Sequence, residues 1–140
     1  MKRTKQDVTF RGRYLGIVLL VIIQLIIGLI HLTFGLAMIL GYYSVATYSI
    51  FPMVYSVYTL VYGLLTLFFT CFIWMGKRFG WIGTIAVSLF IIIVDSLAVF
   101  DLVNILSIPV PIIAAIGEIP FSILVVVYLL QNHVRAKYNI

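Results

Sequence analysis

Charge is what this sequence has least of. Lys, Arg, Asp and Glu make up only 9% of its 140 residues, where a soluble domain carries about a quarter. A surface that faces water on all sides cannot be built from so few charges, so a soluble globular protein is excluded. Cysteine is nearly absent too. The single Cys71 excludes an intramolecular disulfide and any multi-cysteine metal site, and its apolar surroundings read as a packing position. Only two histidines occur, and His31 alone falls within an apolar run, so a bis-histidine haem site within one chain is ruled out. There is no phosphate-cradling glycine loop, no H-E-x-x-H zinc motif and no G-x-S-x-G nucleophile elbow. Enzyme is therefore the weakest functional class, and no cofactor or metal is expected.

What the chain has in abundance is apolar surface: 64% of residues are hydrophobic and the mean hydropathy is +1.25. Four long apolar runs account for it, at residues 15–41, 53–75, 81–103 and 110–130. A membrane-crossing helix takes about 20 residues at 1.5 Å rise each, and every run meets that length. Helix is expected over strand because lipid offers no partners for backbone polar groups, and these runs are about twice a barrel strand. The expected fold is a single all-α domain, a bundle of four transmembrane helices. Basic residues precede the first run as they would in a signal peptide, but the run exceeds the usual core of about 7–15 residues and has no convincing A-x-A cleavage pattern. It is read as a retained first helix.

The nine Lys and Arg residues all fall in the N-terminal tail, the turn at Lys77 and Arg78, or the C-terminal tail with Arg135 and Lys137. The other two connectors carry none. Under the positive-inside rule, tails and middle turn lie in the cytoplasm, which makes the expected location the plasma membrane. The net charge of +5 is then a topology signal with some affinity for anionic lipid heads, and no nucleic-acid partner is expected. Tyr42, Tyr43, Tyr48, Phe51 and Tyr55 mark the outer interface, and Tyr14, Trp74, Phe79 and Trp81 the inner one. Pro109 and Pro111 suit the opening of the fourth helix, whereas Pro120 lies inside it and predicts a kink.

Within lipid, helices associate through close packing and hydrogen bonds, so small and polar side chains should mark the inward faces. Gln24, Gly28, His31 and Gly35 form such a stripe on the first run, and Ser56, Thr59, Gly63, Thr66 and Thr70 on the second. Thr84, Ser88 and Asp95 share a face of the third; Ala114, Glu118 and Ser122 share one of the fourth. Helical rise puts His31, Asp95 and Glu118 at similar heights, roughly 20–25 Å from the inner boundary, with Gln24 nearer the middle. An ionised carboxylate there costs about 2.5–3.5 kcal/mol on insertion scales, so Asp95 and Glu118 need compensation. These four residues are the candidate intramembrane polar site; Asp101 and Asn104, at the outer end of the third helix, are secondary candidates.

The segments Leu19 to Gly28, Tyr62-Gly63-Leu64-Leu65, Trp74-Met75-Gly76-Lys77-Arg78-Phe79-Gly80-Trp81 and Tyr128 to Tyr138 together resemble a group of small, mostly archaeal, uncharacterised four-helix membrane proteins of domain-of-unknown-function type. The resemblance implies the four-span architecture and carries over no activity or site; Asp95, Asp101 and Glu118 are not part of its pattern. In its size and its intramembrane glutamate the chain is also similar to small multidrug transporters, but their glutamate lies in the first helix, which here holds Gln24 and His31. Two functions are expected to compete. The leading one is a non-enzymatic protein acting through helix packing, as a homo-oligomer or an accessory subunit of a membrane complex. The other is a small proton- or cation-coupled transporter or channel working through the acidic residues.

Overall fold

In a computed structural model of the chain, residues 9–10, 13–44, 50–99 and 112–140 are described. Two two-residue strands, β1 (Thr9–Phe10) and β2 (Arg13–Tyr14), pair antiparallel just ahead of the first helix. Everything else regular is helical: α1 (Leu15–Ser44), α2 (Ile50–Trp74), α3 (Arg78–Val99), α4 (Ile112–Leu129) and a short α5 (Asn132–Lys137). Three of these, over Leu15–Gly41, Met53–Trp74 and Arg78–Leu97, are long and apolar enough to cross a membrane; the apolar stretch of α4 described, Ala115–Leu129, is shorter.

The helix ends follow from local chemistry and shift the expected boundaries slightly. Gly76 adopts φ of +72°, a left-handed conformation that glycine takes without a Cβ penalty. This lets Lys77 N–H donate to Phe72 O and Gly76 N–H to Ile73 O, both at 2.9 Å, the paired bonds that close a helix C-terminus. The Lys77 carbonyl then accepts the first bond of α3, from Gly80 N–H at 3.0 Å, so the connector expected over residues 76–80 is shorter by the first turn of α3. Pro52 lies in the first turn of α2, where its missing N–H has no intrahelical partner to lose. Of the outer connector expected over 42–52, residues 42–44 belong to α1 and 50–52 to α2, and residues 45–49 fall outside the described residues. Pro120 lies inside α4 and leaves the Ile116 carbonyl without its usual donor, while Pro109 and Pro111 fall outside the described residues.

Consecutive helices pack antiparallel. The tightest pair is α1 with α2: a Cβ on Gly63 would lie 2.6 Å from Leu32 N, and one on Gly35 would lie 2.7 Å from Leu60 N. Only glycine allows these two backbones to approach so closely. At one end of the bundle Ile17, Leu20, Val21, Ile73, Val125 and Leu129 form an apolar plug, closed from below by Val134 of α5 and by Tyr138, which caps that helix. Tyr138 donates from its hydroxyl to Ile73 O at 3.2 Å, and Trp81 donates from Nε1 to Leu129 O at 2.9 Å. Lys137 Nζ sits 5.2 Å from the centre of the Tyr14 ring. The start of α1, the α2–α3 turn and α5 therefore share one end, and the basic residues of that turn and of α5 gather there. Large apolar side chains such as Ile26, Leu40, Ile93 and Leu124 cover the outward faces. Cys71 is exposed on the outer face of α2, which corrects the reading of it as a packing residue: its register points it away from the bundle.

Candidate functional site

Above the plug the interior turns polar. Gln24, Ser56, Thr59, Thr66, Thr70, Thr84, Ser88, Asp95 and Ser122 are all buried, so the stripes of small and polar residues on the four helices face one another. His31 and Glu118 join α1 to α4: Nε2 lies 2.9 Å from Glu118 Oε1, and both side chains are 18% exposed. His31 Nδ1 lies 2.8 Å from Ile27 O, one turn back on the same helix. A carbonyl can only accept, so Nδ1 carries a hydrogen. That fixes what can happen at Nε2. Either a neutral imidazole accepts from a protonated Glu118, or an imidazolium donates to a carboxylate; both place one proton on the 2.9 Å line and leave the pair without net charge.

Asp95 is fully buried. Its Oδ1 accepts from the Tyr58 hydroxyl at 3.5 Å, while Oδ2 has no hydrogen-bond partner among the described residues. Glu118 and His31 are its ionisable neighbours. Tyr62 packs edge-on against the His31 ring, with centroids 4.6 Å apart, and Tyr55 stacks on Tyr58 at 6.4 Å. Histidine, two carboxyl groups and a phenol thus meet in a setting from which water is largely excluded. Within the His31–Glu118 pair the shared proton can sit on either partner without changing the net charge, whereas a net change of one proton carries the penalty of an unpaired buried charge. Among the described residues no three His, Cys, Asp or Glu side chains converge as metal ligands.

Three of the four candidate residues, His31, Asp95 and Glu118, come together. Gln24 does not join them. It lies about 10 Å lower, from seven residues of helical rise, where Thr70 Oγ1 approaches its Oε1 at 3.1 Å. Asp101 and Asn104 fall outside the described residues. Sequence reasoning passed over Tyr58 and Tyr62, although a signal was there: Tyr55, Tyr58 and Tyr62 recur at spacings of three and four, one face of a helix. Their number near a helix end reads as an interfacial belt, which hides an inward role. Comparison with protein-family models, with curated proteins and with solved structures finds no match to this chain.

Proposed function

We propose that the chain crosses the bilayer four times, with both termini and the Lys77–Arg78 turn in the cytoplasm, and works in the plasma membrane as a small proton- or cation-coupled transporter or channel, its architecture that of the small four-helix group it resembles. The observation that carries this reading is the His31–Glu118 contact at 2.9 Å with Nδ1 anchored on a backbone carbonyl, beside an Asp95 oxygen that has no hydrogen-bond partner among the described residues. A pair built only to hold helices together needs no third, partly unsatisfied carboxyl group next to it. The polar cluster lies in the half of the bundle away from the basic end, and the apolar plug separates it from that end, as an ion or proton path open to one side at a time requires. Four helices barely enclose a pathway, and two copies complete an alternating-access site near the midplane.

The test is flux. Purified protein in liposomes should carry protons, or a monovalent cation in exchange, and Glu118→Gln and Asp95→Asn should each lower the rate by about 10²-fold, the low end for loss of a positioned proton-transfer group. Equal rates for wild type and both variants would remove this reading.

The helix-packing reading keeps one observation of its own. Between α2 and α3 lies an apolar groove of about 450 Å³, lined by Val57, Val61, Leu65, Phe69, Ala86 and Phe90, room for a few apolar side chains from a helix of a second copy or of a larger complex. Against it, Gly28, Gly35 and Gly63 are consumed inside the α1–α2 contact and do not serve a partner. On this reading the protein purifies as a multimer in mild detergent, and a folded monomer would count against it.

A further inference from the structure

Between the His31 level and the apolar plug, a small void of about 10 Å³ is bounded by the polar side chains of Gln24, Thr66, Thr84, Ser88 and Ser122 and, on its other walls, by aromatic and aliphatic groups that include the Tyr62 ring. We propose that this void is a specific internal site for one water molecule, which extends the polar path from the His31–Glu118 cluster toward the plug; that use of it rests on the proton-handling reading above.

Size and chemistry agree. A void needs at least about 10–15 Å³ to admit one water, so this one is just large enough for a single molecule, and a water held inside a protein requires two to four polar partners. Here two threonine hydroxyls, Thr66 Oγ1 and Thr84 Oγ1, border the void fully enclosed and with no hydrogen-bond partner among the described residues. They come from different helices, α2 and α3, so neither can satisfy the other by a local turn. Gln24 from α1, Ser88 from α3 and Ser122 from α4 add buried polar groups around the same space. Every one of the four long helices thus contributes at least one polar side chain. An apolar bundle gains nothing from such convergence, because each buried hydroxyl left unpaired is destabilising, and a bridging water offsets that cost.

The ligand is neutral. The oxygens at the void are hydroxyl and amide groups, and neither Asp95 nor Glu118 lines it, so a cation here would lack a countercharge in a medium that penalises bare charge. Tyr62 borders the void and also packs on the His31 ring, which makes it the link between the two polar levels. Below Gln24 the side chains of the plug offer no partner, and the path ends there.

The test uses full-length protein in bilayers and water-to-protein magnetisation transfer in solid-state NMR, read at the Gln24 side-chain amide and at Thr84. Transfer to both sites is expected in the wild type, lost in Thr84→Val and in Thr66→Val, and retained in Thr84→Ser, which keeps the hydroxyl. His31 and Glu118 signals report whether each variant stays folded, and two valine variants guard against one that does not. A wild-type Gln24 amide that receives no transfer, or transfer undiminished in both folded valine variants, overturns the water site. So does a shift of the Thr84 signal on replacing choline chloride with sodium chloride, which would identify a cation site instead. Flux without hydration of Gln24 defeats this inference alone; hydration of Gln24 without flux defeats the transport reading alone.

Discussion

At the scale of single residues, His31 and Glu118 concentrate the chemistry of the molecule. An ordinary hydrogen bond between membrane helices contributes about 0.6 kcal/mol and at most about 1.7, whereas removing one partner of a buried ion pair costs about 3–5 kcal/mol because the other charge is stranded. At 2.9 Å and 18% exposure, with Nδ1 already committed to Ile27 O, the pair lies between these two classes. A double-mutant cycle of His31→Phe and Glu118→Leu should therefore yield a coupling energy above about 1.7 kcal/mol, read from reversible unfolding in mixed detergent. A coupling close to zero would mean that the contact carries no energy and that both groups are satisfied elsewhere.

At the scale of elements, the contact between α1 and α2 is the one that glycine controls. Gly63 faces Leu32 N and the Gly28 carbonyl, both within 3 Å of where a Cβ would stand, and both neighbours are backbone that cannot step aside. Gly63→Val should cost about 1–3 kcal/mol or more through overpacking and should pull His31 away from Glu118, since His31 sits on the same stretch of α1. Gly117 provides the contrast. Among the described residues nothing lies within 4 Å of its Cβ position, so Gly117→Ala, one residue from Glu118, should be neutral or stabilise α4 by up to about 1 kcal/mol. Thermal unfolding of the two variants side by side checks this, and equal destabilisation by both would sink the packing argument.

At the scale of the whole molecule, the bundle is divided lengthwise: a polar half holding the ionisable cluster, and an apolar half closed by α5 next to the cations. The arrangement puts the N-terminal strands, the Lys77–Arg78 turn and α5 at one end, as their shared contacts require. With Cys71 replaced by Ser, cysteines introduced at Lys77 and Lys137 should react with a membrane-impermeant maleimide from the same side, the cytoplasmic one. Labelling of the two from opposite sides would break the even-crossing topology. In the unaltered protein, Cys71 on the lipid-facing side of α2 should stay unlabelled until the bilayer is dissolved, because the thiolate that reacts needs water.

Much of this was legible in the chain alone, for a physical reason. Hydropathy is summed over about 20 residues, so the runs that became α1, α2 and α3 stand out whatever their neighbours are, and the glycine before Lys77 and Arg78 marks a turn by local backbone preference. The polar stripes were legible too, since spacing of three and four is a property of one helix. What a stripe cannot reveal is its partner. That His31 meets Glu118 across 87 positions of chain, that Tyr58 turns inward to Asp95, that Gln24 pairs with Thr70 a level below them, and that Cys71 turns outward all depend on the rotation and depth of each helix against the others. Those are set by the close approach of α1 and α2 at Gly35 and Gly63 and by the plug that α5 closes. Sequence determined which segments are helical, apolar and basic at their ends; tertiary packing alone decided which polar groups share a site, because a hydrogen bond between helices exists only where two independent surfaces are brought to within about 3 Å.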